Sequence, residues 1–357
     1  MANRKHILLI TESMLHYRIS LYDKFTQYFE KENYRLYVFS NQRLKEVEAS
    51  KIEYWRGDFR VDKLIKLTKK IKPDYVIFFW NIYNLNSWAF MIWCKLNQVK
   101  FIYWSHGMSL QDPNNKVKKT VYNTFQHLSN ANILYSKNEL RFIPEQCKNK
   151  TFIANNTINF YDFPAISSSK EEIKKELGLP YKKIVLFVGR IQKRKKLDVL
   201  IRIFGGRKEK DVGLVIAGPD MPVEYSDIIA EQDNICYLGA IYNKQKVNKL
   251  FKCADLFCIP GTNGLGINQA MYWGLPVLTL NVRHSPEIYY LEQGKNGFVL
   301  DTERELENKI FEILEDKNRM EELSKYAKQH IREEASPEKM FEGFITAIEY
   351  LERKRDG

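Results

Sequence analysis

The sequence predicts an α/β protein built from two parallel, helix-flanked sheets. Three observations carry that expectation: a length of 357 residues, short apolar runs that alternate with amphipathic stretches from end to end, and a break in this rhythm near the middle. Single hydrophobic cores stop growing at roughly 250 to 300 residues, so the length favours two of them. Strand-length apolar runs separated by helix-length amphipathic segments read as βαβ units, whose strands pair in parallel.

In the first half the strand-like runs fall at 6–11, 36–39, 75–79, 100–103, 131–135 and 151–154, with helix-like segments at 19–29, 61–71, 86–96 and 117–128. The pattern breaks over 159–180 into Asn, Pro and the run Ser167-Ser168-Ser169, which reads as a linker or crossover. A second series of strands follows at 184–188, 213–217, 235–238, 256–260, 276–280 and 297–300, with helices at 197–204, 246–251 and 267–273 between them. Beyond residue 301 the chain turns helical. Ser336-Pro337-Glu338 looks like a cap with Pro at the first helical position, opening a last helix whose Phe341, Phe344, Ile348 and Leu351 need an apolar partner. The expected domains are therefore 1–160, 161–335 and a terminal helix over 336–357.

Composition narrows the function classes. With 44% apolar residues, 13% aromatics and no low-complexity tract, the chain is expected to fold throughout. Its longest apolar runs, 75–80 and 88–94, fall short of the roughly 20 residues that span a bilayer, and the N-terminus enters a strand pattern without a leader's apolar stretch. The expectation is a cytoplasmic protein, neither secreted nor membrane-spanning. Its cysteines, Cys94, Cys147, Cys236, Cys253 and Cys258, are odd in number and show no C-x-x-C spacing, which points to reduced, buried thiols. A net charge of +12 calls for an anionic partner: nucleic acid, an anionic membrane surface or a phosphorylated substrate. The chain shows no helix-turn-helix, zinc-finger or aromatic-basic RNA signature, so no nucleic acid is expected.

Two stretches carry the chemistry. Over 258–271 a buried strand runs into a glycine-rich turn and then a helix, so the amides of Gly261, Asn263, Gly264, Leu265 and Gly266 can approach a ligand where the helix's positive end points. A diphosphate suits that place; a tight turn without ligand is the plainer reading, and the spacing is not the dinucleotide G-x-G-x-x-G. Over 187–198, Arg190 would sit at the carboxyl end of the second series' first strand, with Lys195 five residues on near a helix start. Arg as a fork and Lys as a point charge can converge on one phosphate, although four adjacent cations also describe a solvated basic run.

An ordered series of fragments then gives a resemblance: Val188-Gly189-Arg190 with Lys195, Ala217-Gly218-Pro219, Tyr237-Leu238-Gly239, Cys253-Ala254-Asp255-Leu256, Gly274-Leu275-Pro276-Val277 and Asn296-Gly297-Phe298. Together they resemble the family-four retaining glycosyltransferases over about residues 183–315. The resemblance implies the GT-B fold: two Rossmann-like domains facing across a cleft, with the last helix crossing back to the N-terminal domain. It also implies a nucleotide-diphosphate sugar held by the C-terminal half and an acceptor on the other, a glycan or, to suit the chain's positive charge, a lipid-diphosphate-linked one. The family usually carries two glutamates eight residues apart around this turn. Anchoring on Gly274-Leu275-Pro276 puts Gly261 and Gln269 at those positions, so both carboxylates are missing. Pro260 to Leu265 instead looks like a branch with a Pro-Gly-x-x-Gly-Leu turn, in which Gln269 is implied to reach ribose hydroxyls. Glu287, in His284-Ser285-Pro286-Glu287 after the next strand, could return a carboxylate to the site; its alternative is a helix-starting Pro-Glu with a favourable dipole interaction. In the first half, His106 follows a strand at Ser105-His106-Gly107, where the resemblance implies a histidine that touches the donor sugar; a satisfied structural histidine is the other reading. His16 and Arg18 occupy the first strand-to-helix turn and are acceptor-side candidates, Arg18 for a phosphate.

No D-x-D triplet occurs, so no bridging metal and no cofactor beyond the nucleotide sugar is expected. Arg190, Lys195 and the helix start would neutralise the departing phosphate, and His106 completes the catalytic set. The resemblance implies retention of anomeric configuration, in polysaccharide or cell-surface glycan synthesis. Rival readings are a nucleotide-sugar 2-epimerase of the same fold and a non-catalytic basic protein on membrane or nucleic acid. For docking at the inner membrane face, the candidate strip is Lys116, Lys118 and Lys119 beside Val117, Val121 and Phe125.

Overall fold

The structure, a computed structural model, describes residues 4–354 apart from 13, 15, 43–49, 111 and 208–210. Two compact units emerge: one takes the chain up to Asn159 together with the segment from Ser336, the other is Phe160–Ala335.

The first unit carries β1 (Lys5–Thr11), β2 (Tyr34–Ser40), β3 (Glu53–Arg56), β4 (Tyr75–Phe79), β5 (Lys100–Ser105), β6 (Ala131–Leu134) and β7 (Thr151–Ile153) in one parallel sheet of order β3-β2-β1-β4-β5-β6-β7. Its helices are α1 (His16–Lys31), α2 (Val61–Ile71), α3 (Leu85–Leu96), α4 (Lys116–Leu128) and the short α5 (Glu145–Lys148). Side chains alternate across a strand, and in β1 the alternation splits the core in two. Ile7 and Leu9 pack with Tyr22, Phe25 and Phe29 of α1. Leu8 and Ile10 pack on the opposite face with Leu64, Phe90, Met91 and Phe125 of α2, α3 and α4. A sheet covered on both faces needs strands that are apolar throughout, as β1 and β4 are.

The second unit holds β8 (Lys183–Val188), β9 (Val212–Ala217), β10 (Ile235–Tyr237), β11 (Leu256–Cys258), β12 (Val277–Leu280) and β13 (Gly297–Leu300), parallel, in the order β10-β9-β8-β11-β12-β13. Around it run α6 (Lys170–Glu176), α7 (Leu197–Phe204), α8 (Val223–Ala230), α9 (Lys244–Cys253), α10 (Gly266–Trp273), α11 (Glu303–Glu315) and α12 (Lys317–Glu334). The last helix, α13 (Pro337–Arg353), belongs to the first unit, where Met340, Phe344, Ala347, Ile348 and Leu351 join the α1 side of the core. Each sheet thus reverses its strand order once, between β1 and β4 in one unit and between β8 and β11 in the other. Crevices at such reversals, outside the carboxyl ends of the strands, are where open α/β sheets bind ligands.

Four elements differ from the sequence reading, one of them the short α5, which that reading lacks. β3 is an edge strand of four residues whose charged ends hide its alternation. The supposed linker contains α6, because the last of its three serines caps a helix: Ser169 Oγ accepts from the Glu172 amide at 3.3 Å and Glu172 returns a bond to the Ser169 amide at 2.7 Å. α8 also escaped notice. The candidate docking strip on α4 is corrected as well, since Phe125 is fully buried and Val121 packs against the core, leaving Val117 outside. All five cysteines are free thiols, and no helix of the described residues is long and apolar enough to cross a membrane.

Candidate functional site

At the strand-order reversal of the second sheet, the loops after β8 and β11 are joined through their backbones. The Gly261 amide donates to the Lys195 carbonyl at 3.0 Å and the Thr262 amide to the Arg194 carbonyl at 2.8 Å. A Cβ at Gly261 would stand 2.0 Å from the Arg194 carbonyl oxygen, so only glycine lets the loops meet. Gly261 is therefore turned toward protein backbone, and its missing carboxylate is explained by packing.

This junction fixes Lys195 at the end of a short 3₁₀ turn, Lys193–Lys195, and aims its side chain back over Gly189, with Nζ 3.1 Å from where a Cβ on that glycine would lie. The amine has no hydrogen-bond or ion-pair partner among the described residues. Burial, assisted by the neighbouring Arg194 charge, lowers its pKa from 10.5 to about 8. Arg190, one residue beyond Gly189, is placed differently: its side chain is 64% exposed, with Nε 3.6 Å from Asp220. One cation is therefore held inside and one lies exposed at the rim.

Across the reversal, α10 begins with Leu265 as its cap and no side chain closing its end. The amides of Gly264, Leu265 and Gly266 make no hydrogen bond within the described residues, which leaves a cluster of donors at the positive end of a helix dipole. Glu287 is buried beside them, its Oε2 3.8 Å from a Cβ position on Gly264, with Ser285 Oγ at 3.7 Å. A residue missed in the sequence, His284, holds this loop. Its Nδ1 accepts the Asn263 amide at 3.2 Å while Nε2 donates to the Leu280 carbonyl at 2.9 Å. Burial pushes the His284 pKa down against that last bond, so the ring is neutral, as an acceptor at Nδ1 requires.

Two proposed donor contacts turn inward. Asn263 is buried, its amide donating to the Ile259 carbonyl at 2.9 Å and to Thr279 Oγ1 at 3.2 Å, so the side chain braces the strand ends. Gln269, half-buried, donates to Asn248 Oδ1 on α9 at 3.1 Å, an oxygen it shares with Trp273 Nε1 at 2.7 Å.

In the first unit, His106 follows β5 and is oriented by two neighbours. Its Nδ1 lies 3.2 Å from Glu139 Oε1, and the ring stacks on Tyr135 at 4.4 Å between centroids. Glu139 caps the 3₁₀ turn after β6, accepting the Tyr135 amide at 2.7 Å, a link that the spacing Ser136-x-x-Glu139 could have disclosed. Nδ1 faces the carboxylate, Nε2 has no partner among the described residues, and the side chain is 25% exposed. His106 lines a cavity of about 300 Å³ at the carboxyl ends of β1, β4 and β5, walled mainly by Trp80, Tyr83, Tyr103, Trp104 and Tyr122. Arg18 is enclosed instead, bonded to Asn156 Oδ1 at 2.9 Å and lying 5.0 Å over the Trp104 ring. It has no carboxylate partner among the described residues. His16 opens α1, but its side chain lies outside the described residues.

Residues 169–330 match the model of the family described as Glycosyl transferases group 1, a span inside the second unit that takes up nearly all of it. Among curated relatives, the spore coat protein SA of Bacillus subtilis is 26% identical over 51% of this chain and 52% of its own length. A D-inositol 3-phosphate glycosyltransferase of Mycolicibacterium smegmatis is 32% identical over 37% of this chain and 32% of its own. The match thus spans about half the length of the first relative and a third of the second. The Anabaena protein HepE, solved in complex with UDP, superposes with a TM-score of 0.71 over 97% of this chain and 100% of its own, at 15% identity. The fold is accordingly the GT-B one, two Rossmann-like parallel-sheet units, and the span that matches the family model is the one that carries the cation and glycine loops.

Proposed function

We propose that this protein is a glycosyltransferase moving a sugar from a nucleotide-diphosphate sugar to a hydroxyl of a glycan or lipid-diphosphate-linked acceptor. The observation that carries the reading is the pairing of an unpartnered, half-buried Lys195 amine with the open amides of Gly264 to Gly266 on opposite sides of one strand-order reversal. A desolvated cation and a helix start are both costly to leave empty, and a pyrophosphate satisfies the two together. The family match over 169–330 and the UDP complex of the Anabaena protein support the same ligand class.

In this mechanism negative charge grows on the departing β-phosphate as the anomeric carbon becomes cationic. Lys195 and the α10 amides meet that charge with dipoles already in place, and Arg190, exposed at the rim, folds onto the phosphate when donor arrives. No divalent ion is required in this reading. Glu287 holds the amide loop beside the nucleotide, and His106 is the first unit's candidate to take a sugar hydroxyl. Retention follows if the leaving phosphate accepts the acceptor's proton on the same face, which asks no side chain to act as nucleophile.

Thermal-shift measurements with UDP, GDP, ADP and dTDP test the pocket directly. One nucleotide should raise Tm selectively, and the shift should vanish in Lys195→Ala. No shift with any of the four would defeat the proposal.

A further inference from the structure

α3 is apolar on both sides. Phe90, Met91 and Cys94 are buried against the sheet, as a helix in this layer requires. Its outward positions Leu85, Ile92 and Leu96 repeat at helical spacing on the opposite side, with Leu85 82% and Leu96 78% exposed. A helix apolar all round is ordinarily buried on all sides, and this one faces outward. Val117, 73% exposed at the start of α4, and the exposed Tyr83 and Leu110 lie in the same part of the chain. Six of the ten large hydrophobics exposed among the described residues thus fall within 83–117. Scattered exposed apolar residues need no explanation, but such a concentration marks an interaction surface.

Lysine predominates in the charge around it. Neither α3 nor α4 contains an Asp or Glu, while Lys95, Lys116, Lys118 and Lys119 lie on them and Lys63, Lys66, Lys69 and Lys70 on the adjoining α2. Acids are present as well: Asp62 beside Arg60, Asp112 paired with Lys118, and Asp74, which lines a cavity with Lys95. An apolar helix face among lysine-rich helices fits the interface of an anionic bilayer, where hydrocarbon takes the first and phosphate headgroups the second. The surface also continues into the cavity beside His106: Tyr83 and Leu110 belong to both, and Lys118 Nζ stands 6.0 Å over the Tyr83 ring.

We infer that the outer face of α3, with the start of α4, docks on an anionic bilayer, and that the aromatic cavity at its margin receives the saccharide end of a lipid-borne acceptor. The inference rests on the glycosyltransferase reading for the word acceptor, and it narrows that reading from any glycan to an amphiphile. Glu12 and Asn81 line the cavity with groups that can hydrogen-bond a sugar, Tyr83 and Leu110 offer a path for its hydrocarbon, and Lys118 stands where a linking phosphate would pass.

Flotation with vesicles separates the possibilities. The full-length protein should float with phosphatidylglycerol–phosphatidylcholine vesicles and not with pure phosphatidylcholine. Leu85→Glu/Ile92→Glu, at exposed positions the core does not use, should weaken flotation at least tenfold while leaving the nucleotide thermal shift intact. Equal flotation of parent and variant, or none by the parent, overturns the docking face. A dimer in light scattering that the double variant dissolves overturns it too, by assigning the face to a second copy. For the cavity, tryptophan fluorescence should respond to n-octyl β-D-glucopyranoside at concentrations at least tenfold below those needed for glucose, and Tyr83→Ala should erase the difference. Equal response to the two sugars rejects an amphiphilic acceptor. If flotation behaves as expected but no nucleotide shifts Tm, the docking face stands and the transferase reading falls.

Discussion

The two sheets share a strand-order reversal, yet their carboxyl edges are made of different material. At the reversal of the second sheet the working parts are backbone: close-packed glycine, three open amides and one lysine aimed over a bare Cα. At the corresponding edge of the first sheet they are side chains, with aromatic walls and a histidine held between a carboxylate and a tyrosine ring. Backbone recognition suits a constant group such as a diphosphate. Side-chain recognition suits a partner that differs between enzymes, because walls can be exchanged without disturbing the sheet.

The comparison can be broken from the larger effect downward. Lys195→Ala should lower kcat/KM by roughly 10²-fold, the scale for losing a preorganised charge contact, and near-parental turnover would end the assignment. Gly261→Ala removes no side chain, yet it should cost about 1–3 kcal/mol of stability and weaken nucleotide binding, because the added carbon must part the two loops; denaturant melts and nucleotide titration read both. His106→Ala should lower turnover about tenfold, the scale of one hydrogen bond, with the nucleotide thermal shift unchanged. An equal loss of nucleotide affinity would show the two edges are not separable in function. Glu287→Gln should raise donor KM several-fold, and unchanged kinetics would remove Glu287 from the site.

The smallest effect is in pH. Lys195 has a pKa of about 8, below its ordinary 10.5, so the free enzyme loses this cation as pH rises through about 8. The kcat/KM profile should fall there and the limb should move out of range in Lys195→Arg. Stability runs the opposite way: between about 8 and 10.5 the unfolded lysine binds the proton more tightly, so this group's contribution improves as pH rises. Activity and stability diverging over one interval is a signature that general alkaline denaturation does not produce.

The same contrast explains how much could be read from the chain. The α/β class was legible because two-sided burial makes strands such as 75–79 and 184–188 continuously apolar, and a four-residue edge strand like β3 carries no such mark. The capping signal Ser169-x-x-Glu172 marks α6, but the serine run ahead of it has the composition of a linker and hides the helix. In the second unit, glycine motifs are visible in sequence because backbone contact admits only one residue; Gly218, where a Cβ would meet the Gly189 carbonyl oxygen at 2.0 Å, is another case. What those motifs did not disclose is direction: Asn263 and Gln269 lie in the right stretch but are tied to Thr279 and Asn248. In the first unit the cavity escaped notice, since its walls come from three separated strand ends and any large ring can supply them.

The excursion of the chain from the first unit at Asn159 and its return at Ser336 has a consequence for biosynthesis. Phe344, Ile348 and Leu351 fill the α1 side of the first core, and Gly343 packs so closely on β7 that a Cβ there would lie 2.1 Å from the Ile153 carbonyl oxygen. Until α13 has been synthesised, the second unit can be complete while the first still lacks one wall. The N-terminal half must therefore wait, partly uncovered, for the final seventeen-residue helix. Nascent-chain proteolysis should find the later-made unit protected first.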